Sequence, residues 1–257
     1  MVEIITEVNR LGEIPYMFYY SKADDAAKRP LVIYSHGFNC NQYSGASLAL
    51  QLAQKGFCVV TYDLSEHGAR YNGFMERIES DTDIGNSIFR ILESSYLDLE
   101  SLIEHFSDDP RIDASRIGIT GGSLGAKICY YALTRNRSVK VAVPIIGSPN
   151  FVEQIIYSME KENELQFETL AELALLETAK RLDPFESLVA TENRPLLMIN
   201  ASKDDDVPYQ YAEGLYERLK ERYHQSGTPL EFYVADEFHF FSDDMIERAI
   251  GWFEKYL

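Results

Sequence analysis

The feature that most limits the folds open to this chain is an alternation of short apolar runs with longer segments of helical periodicity. Leu31-Val-Ile-Tyr34 and Cys58-Val-Val-Thr-Tyr62 are continuous apolar runs, and Tyr43 to Lys55 between them has helical spacing closed by Gly56. The pattern recurs downstream. Ile84 to Phe106 carries apolar residues at Ile88, Ile91, Leu92, Leu99, Leu102, Ile103 and Phe106, the spacing of a helix. Strand Arg116–Thr120, helix Ala126–Thr134 and strand Val139–Ile146 follow. Later come strand Pro195–Asn200, helix Tyr209–His224, strand Leu230–Val234 and a closing helix from about Asp243 to Leu257. Strands that are apolar throughout must be buried on both faces, and the intervening helices supply the cover. The expected fold is α/β, a mostly parallel central sheet with helices on both faces. Ahead of it, Glu3–Val8 and Ile14–Tyr20 predict an antiparallel strand pair around the turn Asn9-Arg-Leu-Gly12, and Tyr20–Arg29 reads as a polar loop.

One segment breaks the alternation. Between two strands, Ser148 to Glu192 holds two helical stretches, about Phe151–Glu160 and Leu165–Arg181, where one crossover helix would suffice. The expectation is a single domain over 1–257 with residues 148–192 as a helical cap insertion. Phe151 and Ile155 would then face the substrate pocket; the alternative is an enlarged crossover packed on the side of the sheet.

Composition narrows the partners. With 24 Lys+Arg against 41 Asp+Glu the net charge is −17, which repels the phosphates of nucleic acid and of anionic membranes, so neither is an expected partner. The N-terminus has no basic segment followed by an apolar run, and no stretch approaches the roughly 20 apolar residues that span a bilayer. The three cysteines, Cys40, Cys58 and Cys129, cannot all pair. These features together suggest a cytoplasmic protein. Composition leaves the oligomeric state open, a homo-oligomer included.

The strongest local signal is Gly121-Gly-Ser-Leu-Gly125, placed between a strand and a helix. That setting suits a nucleophile elbow, in which Ser123 is held in a strained turn and close backbone packing excludes side chains at Gly121 and Gly125. A plain glycine-rich turn is the alternative, but neither Gly-x-x-x-x-Gly-Lys-Ser/Thr nor Gly-x-Gly-x-x-Gly is present. A serine hydroxyl needs a base. Of His36, His67, His105, His224 and His239, the last lies on a loop after the final strand, from which it can reach Ser123. The base needs an orienting carboxylate. Asn200-Ala-Ser-Lys-Asp-Asp-Asp-Val-Pro208 follows a strand, with Asp204 as the inward candidate and Asp206 as the second choice.

The order Ser123, Asp204, His239 resembles that of the α/β-hydrolases. More narrowly, the chain is similar to single-domain esterases related to dienelactone hydrolases and to prolyl oligopeptidase catalytic domains. The likeness rests also on Tyr34-Ser-His-Gly-Phe38, Tyr62-Asp63, Asp113-Ala-Ser-Arg-Ile-Gly-Ile and Asp183-Pro184. The resemblance implies an oxyanion hole from the backbone N–H groups of Phe38 and Leu124, with His36 and Gly37 supporting the turn. It implies a serine carboxylesterase that needs neither cofactor nor metal and acts on small-molecule esters. A peptidase or amidase, a thioesterase and a catalytically idle binding scaffold are the alternatives. No propeller-sized domain is expected. Leu64-Ser-Glu-His-Gly68 departs from the usual Arg-Gly-x-Gly, leaving His67 either a loop residue or part of the substrate pocket.

Overall fold

The computed structural model describes residues 2–22, 27–161 and 169–257. Two strands, β1 (Ile4–Leu11) and β2 (Ile14–Ser21), form a hairpin in which Leu11 pairs with Ile14. The loop is therefore the two residues Gly12 and Glu13, with Gly12 at φ 58°. The expected turn at Asn9–Gly12 is corrected accordingly. Asn9 and Arg10 are strand residues whose polar side chains face solvent on a sheet edge, which is why they read as a turn.

The remaining strands are β3 (Arg29–Ser35), β4 (Cys58–Tyr62), β5 (Ile112–Gly122), β6 (Val139–Ile145), β7 (Leu196–Ala201) and β8 (Leu230–Ala235). They join the hairpin in one eight-stranded sheet of order β1-β2-β4-β3-β5-β6-β7-β8. Every pairing from β4-β3 to β7-β8 is parallel, and only the two pairings made by β2 are antiparallel. β5 begins four residues earlier than Arg116, because Ile112 pairs with Arg29 before an irregularity shifts the register.

Helices α1 (Ala46–Gln54), α2 (Asp81–Ser107) and α3 (Leu124–Leu133) precede β6; α4 (Phe151–Lys161), α5 (Leu170–Leu182) and α6 (Phe185–Ala190) fill the segment before β7; α7 (Gln210–Ser226) and α8 (Asp243–Tyr256) complete the chain. The sheet separates two apolar cores. On one face α1 and α8 cover Val32, Val59, Val143 and Ile199; on the other α2, α3 and α7 cover Ile33, Val60, Ile119 and Met198. Alternate residues of each strand go to opposite cores, so the apolar runs that lack alternation are explained by burial on both sides. Among the described residues no helix is long and apolar enough to cross a membrane.

The α4–α6 excursion joins the α2 side. Phe151, Leu175, Ala179, Leu182 and Leu188 belong to the same buried cluster as α2 and α3. A Cβ on Gly85 of α2 would lie 2.7 Å from the Leu175 side chain, so α5 seats directly on α2. The expected start of the second insertion helix at Leu165 lies outside the described residues.

Candidate active site

All the loops that carry the chemistry leave the C-terminal edge of the parallel strands, where ligands of open α/β sheets bind. β5 ends at Gly122, and Ser123 follows at φ 54°, ψ −110° as the N-cap of α3. A non-glycine residue at positive φ is strained, and here the strain turns the hydroxyl out of the strand-to-helix bend. The bend is tight because β3 passes beneath it. A Cβ on Gly125 would stand 1.9 Å from the Ser35 carbonyl oxygen, and one on Gly121 would stand 2.5 Å from the same atom. Both positions therefore require glycine.

His239 comes from the loop between β8 and α8. Phe241 anchors that loop: its ring fills the space beside Gly122 and meets Tyr34 edge-on at 6.4 Å. His239 Nε2 lies 3.0 Å from Ser123 Oγ, and His239 Nδ1 lies 2.6 Å from Asp204 Oδ2. The loop after β7 holds Asp204. Asp204 Oδ1 accepts the N–H groups of Asp206 at 3.0 Å and Val207 at 2.8 Å, and the carboxylate is wholly shielded from solvent. Two backbone bonds, Ser202 N–H to Ala235 O at 2.8 Å and Lys203 N–H to Glu237 O at 2.9 Å, join the acid loop to the histidine loop. Asp206, the second choice, sends its amide rather than its carboxylate into this arrangement. Its carboxylate does lie near the pair: Asp204, Asp206 and His239 offer ligand atoms within 4.8 Å of one another, a grouping in which two members already bond each other.

The turn after β3 lies against the serine. A Cβ on Gly37 would be 3.6 Å from Ser123 Cβ, and Cys40 N–H bonds to Gly37 O at 3.2 Å to close a turn with Phe38 and Asn39 at its centre. Phe38 follows the glycine that lies against Ser123, and Leu124 is the next residue of the chain after Ser123. His36 fixes the turn from below. It is fully buried, its Nδ1 is 2.7 Å from Gly37 O and its Nε2 accepts Leu64 N–H at 3.0 Å.

A sequence model of the prolyl oligopeptidase family matches residues 41–257, a span that includes Ser123, Asp204 and His239. The chain belongs to the prolyl oligopeptidase family. It is a serine hydrolase on the α/β-hydrolase fold. Within reach of this family member by sequence is the "Putative esterase YitV" of Bacillus subtilis, 30% identical over the whole of both chains. Esterase YjfP of Escherichia coli is 26% identical over 86% of each. TT1662 from Thermus thermophilus superposes with a TM-score of 0.76 over 98% of each chain at 20% identity, a likeness of fold alone.

The structure places two candidate pocket residues of this family member in its interior. His67 is buried and both ring nitrogens bond the backbone, Nε2 to Asn39 N–H at 3.1 Å and Nδ1 to Ser65 O at 2.8 Å. It is a loop residue with no polar atom left for a substrate. Phe151 is fully buried, its ring 5.9 Å from that of Phe89, so it is core rather than pocket wall. Ile155 is half-buried against the same core.

Sequence reasoning missed the residues that tie α4 to the site. Gln154 accepts from the buried Lys127 ammonium and donates to Asp206 O at 3.3 Å, while Tyr157 Oη donates to Asp205 O at 3.3 Å. Burial pushes Lys127 down to about 7, against the pull of the Asp183 carboxylate. A lysine one turn after Ser123, on a helix that is otherwise largely apolar, was the available signal.

The buried histidines make stability depend on pH. Burial pushes His36 down to about 3, below the ordinary value near 6.5, and lowers His67 in the same direction. Between those values the unfolded chain binds a proton that the folded chain does not. Stability is therefore full above about 6.5 and is lost as the pH falls, at about 1.4 kcal/mol per unit for His36 alone. Urea unfolding at pH 7, 6 and 5 should show this decline; equal stability at all three would contradict it.

Proposed function

We propose that the protein hydrolyses carboxylic esters of small to medium acyl groups through an acyl-enzyme on Ser123. The observation that carries the reading is the placement of His239 between Ser123 Oγ at 3.0 Å and Asp204 Oδ2 at 2.6 Å. Ser123 Oγ attacks the acyl carbonyl as His239 Nε2 takes its proton. The resulting imidazolium is stabilised by Asp204, whose carboxylate is held by two amides and so needs no rearrangement when charge forms. The backbone N–H groups of Phe38 and Leu124 receive the oxyanion. His239 then returns its proton to the leaving alcohol, and a water activated by the same nitrogen releases the acid and restores Ser123.

The esterase names of YitV and YjfP favour an oxygen leaving group; the family's name favours a peptide or amide. Rates on p-nitrophenyl acyl esters and on aminoacyl p-nitroanilides separate the two. The expected result is ester hydrolysis faster by about a hundredfold or more in kcat/KM, roughly 3 kcal/mol of transition-state preference. A preference for anilides would replace this reading with a peptidase, and activity confined to acyl thioesters would replace it with a thioesterase.

A further inference from the structure

We propose that His67 is a positioning residue for acylation, clamping the Gly37–Cys40 turn beside Ser123; this rests on the serine-hydrolase reading above. The chain places His67 for the task by an unusual path. After β4 it runs Leu64-Ser-Glu-His-Gly68, with Glu66 at φ 62° pinned by two bonds to Arg90, at 2.8 and 2.9 Å. The bend at Glu66 directs the next residue inward, where His67 is buried.

The ring's tautomer follows from its partners. A backbone N–H can only donate, so Nε2, 3.1 Å from Asn39 N, carries a lone pair; the proton is then on Nδ1, facing Ser65 O at 2.8 Å. Both nitrogens are satisfied in this one orientation, which makes the imidazole a rigid strut between two loops 28 residues apart in sequence.

The amide it holds is the central one of the turn. Asn39 sits at φ 59°, and a four-residue turn with a left-handed third residue directs its central N–H away from the closing bond. That N–H needs another acceptor to fix the peptide plane, and His67 Nε2 provides it. Asparagine tolerates this conformation better than most residues. The same imidazole packs edge-on against the Phe38 ring at 5.6 Å and tilted against the Phe74 ring at 5.4 Å. It therefore grips the turn through a side chain at Phe38 and through the backbone at Asn39, the two residues that follow the glycine lying against Ser123. An N–H aimed at a developing oxyanion works only within a few tenths of an ångström of its proper place, so loosening this grip should slow the chemical step more than substrate binding.

Three variants test this with p-nitrophenyl acetate, each with kcat and KM measured separately and with Tm recorded. His67→Phe keeps an aromatic ring but offers no acceptor, and kcat should fall about 10- to 100-fold with KM within about threefold. His67→Gln offers an oxygen to Asn39 N–H and an N–H to Ser65 O, and should recover most of the lost kcat. Leu102→Ala, in the core on α2, should lower Tm and leave kcat unchanged. If His67→Phe retains kcat within twofold, or if Gln is no better than Phe, the proposal is overturned. Should the variants fail to fold, nitrogen-15 NMR of the wild-type protein decides: His67 protonated on Nδ1 alone supports the strut, and protonation on Nε2 overturns it. A wild-type protein with neither ester hydrolysis nor phosphonate reactivity at Ser123 would sink the hydrolase reading itself, a result distinct from any of these.

Discussion

Asp204→Asn should lower kcat on p-nitrophenyl esters by about four orders of magnitude while KM stays within a few-fold. The carboxylate is out of reach of solvent, one oxygen 2.6 Å from His239 Nδ1 and the other receiving the Asp206 and Val207 amides. An asparagine in the same space can keep the two amide bonds with its carbonyl oxygen. Its NH2 then faces Nδ1, which must become an acceptor, and the ring proton moves to Nε2. A protonated Nε2 cannot take the Ser123 proton, so attack fails although the fold is kept. Asp206→Asn should cost less than tenfold, because Asp206 meets Asp204 through its backbone N–H and it is Asp204 that bonds His239 Nδ1. Steady-state kinetics with melting curves on both variants checks this. A kcat within tenfold of wild type for Asp204→Asn would remove Asp204 from its role.

Phe151→Ala should lower Tm by about 10 °C. The side chain is fully buried at the start of α4, between the Phe89 ring and the Lys127 ammonium 4.7 Å above its own ring. Truncating such a residue costs about 3–5 kcal/mol, and each kcal/mol moves Tm by roughly 2–4 °C in a chain of this size. The loss also leaves Lys127 without the ring it rests on. Differential scanning calorimetry reads the shift; a change below about 3 °C would mean the site collapses around the missing ring or that α4 contributes little. Ile155→Ala, at a half-buried position, carries the question of acyl selectivity that Phe151 cannot. A changed chain-length preference there would support the 148–192 segment as a cap over the acyl pocket.

The sequence exposed the layer order and most strand positions because burial on both faces leaves an unmistakable mark: Cys58–Tyr62 and Leu31–Tyr34 are apolar throughout, and the observed strands contain them. It was less informative where polar residues sit in regular structure. Asn9 and Arg10 mimic a turn on an exposed edge, and Asp113–Ser115 hides the first part of β5. The meeting of Ser123, Asp204 and His239 was legible because each follows a strand at one edge of the sheet, so topology brings them together. The partners of His67, Gln154 and Lys127 were not, because loop geometry fixes them. Asn39 is 28 residues from His67, and Gln154 is 52 from Asp206. No periodicity encodes such pairs. Phe151 misled for a related reason: helical spacing says that a face is buried without saying whether a core or a substrate covers it.

The central claim is that Ser123 is the nucleophile, activated by His239. Incubating the protein with a fluorophosphonate, followed by intact mass measurement and peptide mapping, tests it most directly. The account predicts one phosphonyl adduct per chain, located on Ser123, formed with parallel loss of ester hydrolysis and absent from Ser123→Ala. Full hydrolytic activity persisting in Ser123→Ala, or an adduct on any other residue with Ser123 unmodified, would contradict it.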